Sequence, residues 1–170
     1  MKRSRTESSA DLEGRLESGG IAEALAQHHR GLEVALEAIA AWALAGEAVV
    51  LEQAWTAFRR ELLRHLELEE SGLLAYLRRV HPLETEQLAD EHDQLREQVA
   101  LVDEALERHV LGADQVKAFG LMLRAHCTRE EALLYPWAED RLSTDSWKNL
   151  GHGESGGAAP TRQRPGSLPN

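Results

Sequence analysis

Apolar residues recur at three- and four-residue spacing in four long stretches of this chain, and nothing alternates with the two-residue period of a strand. The first stretch is Ile21–Ala45, with Leu25, His29, Leu32, Leu36, Ile39 and Ala43 on one face. Gly46 follows it as a C-cap. The second, 47–80, carries Val50, Ala54, Phe58, Leu62, His65, Glu69, Leu73 and Leu77. The third, 82–110, opens on Pro82, which suits a first helical turn, and presents Leu88, His92, Leu95, Val99, Val102 and Leu106. Gly112 interrupts the pattern, and Asp114 is the expected cap of a fourth helix that runs to about Leu142. Pro136 lies inside this last helix and should kink it or end it early, because it lacks an amide donor. Four long helices with short connections predict an all-α, up-down-up-down four-helix bundle over residues 19–143. Residues 1–18 are polar, and 144–170 are rich in Gly, Pro and Ser. Neither buries enough apolar area to offset its ordering entropy, so both are expected to be disordered.

The apolar stripes have polar intruders, and these repeat. Phe58-x3-Leu62-x2-His65-x3-Glu69-Glu70-x2-Leu73 returns as Phe119-x3-Leu123-x2-His126-x3-Glu130-Glu131-x2-Leu134. Each copy follows a helix with its own histidine: His29-x2-Leu32-x3-Leu36-x2-Ile39, then His92-x2-Leu95-x3-Val99-x2-Val102. A histidine on an apolar stripe is usually a hydrogen-bonded core residue. Four of them with two glutamates, in a repeated layout, ask for another reason. Their heights agree: His29 lies seventeen residues before Gly46 and His65 nineteen after it. At about 1.5 Å rise per residue both stand about 25–28 Å from that turn. The same count across the other two turns brings His92 and His126 to the same level, within a turn or two of helix.

Residues four apart share a helix face, so His65 with Glu69, and His126 with Glu130, can reach one centre each. Two glutamates buried close together are expensive. A cation removes that cost and uses the imidazole nitrogens. Four neutral His and two carboxylates suit a pair of borderline metals, with the carboxylates able to bridge and the remaining positions left to water, hydroxide or a small diatomic molecule. The candidate ligands are His29, His65, Glu69, His92, His126 and Glu130. Structural zinc would more often use thiolates, and Cys127 is the single cysteine. Calcium or magnesium would prefer oxygen throughout. The His-Glu-x-x-His of zinc proteases is missing, and the order His-x3-Glu differs from the Glu-x-x-His of ferritin-like di-iron bundles.

Composition narrows the setting. The formal net charge of −10 argues against nonspecific nucleic-acid or anionic-membrane partners. One cysteine excludes an internal disulfide framework and suits a reducing cytoplasm. Residues 1–10 do not read as a signal peptide, and no apolar run approaches the roughly 18 residues of a membrane span.

The chain resembles the hemerythrin-like, or HHE cation-binding, family. The resemblance rests on His29, on His65-Leu66-Glu67-Leu68-Glu69-Glu70, on Glu91-His92 and on His126-Cys127-Thr128-Arg129-Glu130-Glu131, and it spans about residues 21–142. Leu133-Leu134-Tyr135-Pro136 is similar to the family's Leu-Phe-Pro ending of the fourth helix. The resemblance implies two iron ions in a non-haem di-iron centre, with zinc or manganese as other occupants. It implies binding or sensing of dioxygen, nitric oxide, redox state or iron more than turnover; a protein partner is not indicated. Oxygen carriers of the family show His-x3-His on the third helix, and here Leu88 stands at the earlier position. The first repeat has Ala75 where the family ending has Pro, so the second helix is expected to continue straight. A di-iron oxidase or peroxidase-like scavenger, and a metal-free helical interaction module, are the competing functions.

The neighbours divide less sharply. His28 could replace His29 as ligand, but the spacing shared with His92 favours His29 and leaves His28 as a flanking or exposed residue. Glu70 and Glu131 are expected on exposed faces, with support of the ligands or alternative ligation as the other reading. Cys127 reads as a packed thiol, and Tyr135 either as core or as a hydrogen-bond donor near the site. Trp42, Trp55 and Trp137 read as core or bundle-end packing; His81, His109 and His152 are given no role. Leu32, Leu36, Phe58, Leu62, Leu95, Val99, Phe119 and Leu123 should line a dry pocket around the site.

Overall fold

The computed structural model describes residues 21–141. The expected disordered ends, including His152, lie outside the described residues. Helix α1 is Ile21–Ala45. Helix α2, 48–77, is α-helical over Ala48–Leu68, π-helical over Glu69–Leu74 and α-helical again over Ala75–Leu77. Helix α3 is Pro82–Glu107. Helix α4, 113–141, is α-helical over Ala113–Arg129, π-helical over Glu130–Leu134 and α-helical over Tyr135–Arg141. The described residues contain no strand. Both α1 and α3 pack against α2 and α4, closing a four-helix bundle. Among the described residues no helix is long and apolar enough to cross a membrane.

Each turn has a local cause. At the end of α1, Gly46 takes φ +71°. Its amide donates to Ala43 O at 3.4 Å, and the Glu47 amide donates to Trp42 O at 3.2 Å, the paired bonds of a Schellman stop. The end of α3 repeats this with a histidine in the left-handed position. His109 has φ 55°, its amide donates to Leu106 O, and Val110 donates to Ala105 O, both at 2.9 Å. Pro82 begins α3 as expected, and Thr85 Oγ1 donates to His81 O at 2.8 Å. Asp114 is not the cap of α4: Gly112 is, with the Gln115 side chain accepting its amide proton at 3.1 Å. Asp114 lies inside the first turn and pairs with Lys117 at 3.5 Å.

The core forms two apolar clusters stacked along the bundle. One holds Leu32, Leu36, Ile39, Trp55, Phe58, Leu62, Leu95, Val99, Phe119 and Leu123. The other holds Leu25, Leu73, Leu74, Leu77, Leu88, Leu134, Tyr135 and Ala138. On every helix a His or Glu separates the two: His29 on α1, Glu69 on α2, His92 on α3, Glu130 on α4. The inward stripe of α2 is rotated near its start: Val50 is 39% exposed, and Leu51 and Trp55 are buried in place of Val50 and Ala54. Trp55 also donates to Asp103 at 2.7 Å. Trp42 is 39% exposed rather than packed, whereas Trp137 stacks on His81 at the bundle end with centroids 3.9 Å apart.

The straight second helix expected from Ala75 is corrected by the π-helical turn at Glu69–Leu74. A π turn inserts about one extra residue, so two consecutive side chains point inward. In α2 these are Leu73 and Leu74; in α4 they are Leu134 and Tyr135. Pro136 does not end α4, which continues to Arg141, because the wide turn ahead of it frees its ring from the carbonyl four residues earlier. The same turn exists beside Ala75, so proline does not cause it; both turns begin at the first glutamate of the repeated His-x3-Glu-Glu stretch.

Candidate metal centre

All six candidate ligands arrive in the layer between the two apolar clusters, and all six are buried. They form two groups of four that share both carboxylates. One is His29, His65, Glu69 and Glu130; the other is Glu69, His92, His126 and Glu130. Within each group one donor atom from every residue lies within 4.8 Å of the others. The imidazoles point Nε2 inward. His29 Nε2 lies 2.9 Å from His65 Nε2 and 3.3 Å from Glu130 Oε2. His65 Nε2 lies 3.3 Å from Glu69 Oε2, and His126 Nε2 lies 3.2 Å from Glu130 Oε2. His92 Nε2 stands 3.3 Å from Glu130 Oε1 and 3.7 Å from Glu69 Oε2, between the two carboxylates.

The outward nitrogens carry a pattern that spacing alone did not reveal. Glu131 Oε1 lies 3.1 Å from His29 Nδ1, and Glu70 Oε1 lies 2.9 Å from His92 Nδ1. Glu91 Oε2 lies 3.1 Å from His126 Nδ1, and His28 Nδ1 lies 3.1 Å from His65 Nδ1. A carboxylate on Nδ1 of His29, His92 and His126 accepts that N–H and leaves the Nε2 lone pair inward, the tautomer a metal ligand needs, and His28 orients the His65 ring. This corrects the flanking reading of His28 and the exposed reading of Glu70, while Glu131 is exposed as expected and still supports a ring. Glu70 is half-buried and Glu131 exposed, both bent onto candidate ligand histidines, and His28 is buried. The signal was present in the sequence: the residue after each candidate carboxylate, and the residue before each lone histidine, face a neighbouring helix's ligand. Arg96 grips Glu70 through two bonds of 2.7 and 2.8 Å, and Arg129 holds Glu91 at 3.1 Å.

Electrostatics follow the same geometry. Burial and the neighbouring Glu130 push Glu69 well above the usual carboxylate range. Burial acts on Glu130 too, but the facing imidazoles of His126, His29 and His92 outweigh it and hold that carboxyl well below the range. Burial, then the adjacent His29 and His28, lower His65 well below the ordinary imidazole value. For His126 burial is overcome by Glu130 and Glu91, and its value is raised. Burial at Glu70 is outweighed by Arg96 and His92, which lower it. Burial also raises the Cys127 thiol, which is packed in the core.

Three buried polar atoms at the centre have no hydrogen-bond partner: Glu69 Oε2, Glu130 Oε2 and His126 Nε2. Buried polar atoms are rarely left so, and these converge on one another. A neutral nitrogen lone pair and carboxylate oxygens facing inward are what a divalent or trivalent cation requires. The donor set therefore fits metal binding, with Glu69 and Glu130 common to both groups.

Residues 20–138 match the family model described as the hemerythrin HHE cation binding domain. No curated protein and no solved structure matches the chain significantly.

Proposed function

We propose, for a chain that belongs to the hemerythrin HHE cation-binding domain family, that it holds two iron ions and binds or senses dioxygen or another small diatomic molecule at them. The observation that carries this reading is the sharing of Glu69 and Glu130 by two groups of buried donors, each completed by a different histidine pair. His29 and His65 would hold one ion and His92 and His126 the other, with Glu69 and Glu130 within reach of both. Iron, when bound, supplies reversible redox chemistry and coordination positions for a small ligand.

The protein's part is orientation and exclusion. Glu131, His28, Glu70 and Glu91 hold the four rings by their outer nitrogens, so no ring turns to expose the wrong edge. The apolar clusters above and below keep bulk water out of the layer and admit small uncharged molecules more readily than ions. The three orphaned atoms of the centre disfavour a metal-free interaction module, since such a module would leave that desolvation uncompensated. The packed Cys127 agrees with a role in a reducing cytoplasm.

The test is direct. Protein loaded with ferrous iron under anaerobic conditions should hold two ions per chain, and admitting dioxygen should develop iron charge-transfer absorption. A chain that retains no stoichiometric metal, with an unchanged spectrum in air, ends the proposal.

A further inference from the structure

The six ligands leave out a seventh polar group in the same layer. The Tyr135 side chain is 1% exposed, and its hydroxyl lies 2.7 Å from His29 Nε2 and 2.8 Å from Glu69 Oε1. Those are the spacings of atoms around one cation. Donors about 2.1 Å from a metal and roughly at right angles are separated by about 3 Å. The neighbouring separations, 2.9 Å between the Nε2 atoms of His29 and His65 and 3.3 Å from His29 Nε2 to Glu130, are of the same size. The phenol donates to Glu69 Oε1, and its oxygen is close enough to both partners to share one cation with them.

The internal repeat isolates this residue. Aligning His65 with His126 and Glu69 with Glu130 aligns Leu74 with Tyr135. The π-helical turn brings both inward, but one half of the bundle receives a hydrocarbon and the other an oxygen donor. The two halves are therefore chemically unequal at one matched position.

We propose that Tyr135 is a protein ligand to the metal held by His29 and His65, an inference that rests on the di-iron reading. That metal then has five protein donors in His29, His65, Glu69, Glu130 and Tyr135. The other has four in His92, His126, Glu69 and Glu130, and keeps more room for a small exogenous ligand. On coordination the phenol O–H bond is exchanged for an O–metal bond, and the proton passes to solvent. An anionic oxygen favours ferric over ferrous iron, so Tyr135 biases the centre towards the oxidised state.

The experiment uses the full chain loaded with ferric iron. Resonance Raman excitation in the visible charge-transfer band should bring out phenolate ring modes, and Tyr135→Phe should lose those modes and most of that band while keeping two irons. The reduction potential of Tyr135→Phe should be higher than that of the wild type. The wild-type Raman spectrum decides even where the variant folds poorly. Two irons bound without phenolate modes overturn this inference alone. A wild-type chain that binds no iron overturns the di-iron reading and this inference with it.

Discussion

Glu131 reaches from the π-helical turn of α4 to within 3.1 Å of His29 Nδ1 on α1, across a sequence separation of 102 residues. Glu70 makes the matching contact to His92 at 2.9 Å from the equivalent turn of α2. Both carboxylates sit one residue past a central glutamate, on opposite halves of the repeat. Their role is to hold the tautomer and direction of a ring that ligates through its other nitrogen. Glu70→Gln and Glu131→Gln should each weaken metal binding by about 10–100-fold, the usual cost of losing such a support. Competition with a chelator of known affinity measures this. Unchanged affinity in both variants would show the contacts to be incidental.

Removing a ring should affect its own ion first. His65→Ala and His126→Ala are expected to reduce iron content and to lose the stabilisation that iron confers. In the wild type a hundredfold excess over the dissociation constant raises stability by about 2.7 kcal/mol. Thermal unfolding with and without iron reads the effect. Equal iron-dependent shifts in wild type and both alanine variants would contradict the donor assignment.

The raised Glu69 carboxyl gives a pH dependence of definite sign. A carboxyl whose folded value lies above its unfolded value costs the metal-free fold stability as pH rises from the unfolded value towards the folded one. A metal needs this group ionised and displaces its proton. Iron or zinc should therefore bind more tightly, and raise the melting temperature more, as pH increases over that interval. A metal-induced shift that stays flat or shrinks with rising pH would contradict it.

Glu70 behaves in the opposite sense. Its carboxyl is lowered, with Arg96 and His92 outweighing burial, so its contribution is present above the ordinary carboxylate value and lost as pH falls through the lowered one. The group is partly exposed, and the worth of its pair with Arg96 is about 0.5–1 kcal/mol. Arg96→Ala should lose about that much at neutral pH in denaturant melts and much less once acid has protonated Glu70.

His109 offers a stability gain away from the centre. It occupies the left-handed position that ends α3, with φ 55° and an exposed side chain. Glycine adopts that conformation without the Cβ penalty, so His109→Gly should stabilise the fold by about 0.5–1 kcal/mol and leave iron content unchanged. Chemical denaturation compared with metal analysis checks both halves of this expectation.

The sequence by itself determined the four helices and the layer where they meet. Helical periodicity fixes which residues share a face, so His29, His65, Glu69, His92, His126 and Glu130 could be assigned inward from spacing, and short turns fix their heights. The local signals at Gly46 and Pro82 were equally readable, because they depend on neighbouring backbone alone. Asp114 misled, since several residues near a helix start can cap it and Gln115 served Gly112 instead. Only the tertiary structure decided what stands behind each ligand. Whether Glu70 and Glu131 face solvent or a ring depends on the partner helix and on a π turn that has no propensity signature of its own. That turn also swings Tyr135 into the layer opposite His29, where a regular 3.6-residue helix would have placed it off the inward stripe. Periodicity reports the direction of a side chain from its own helix; the identity of the atom it meets belongs to the packing of all four.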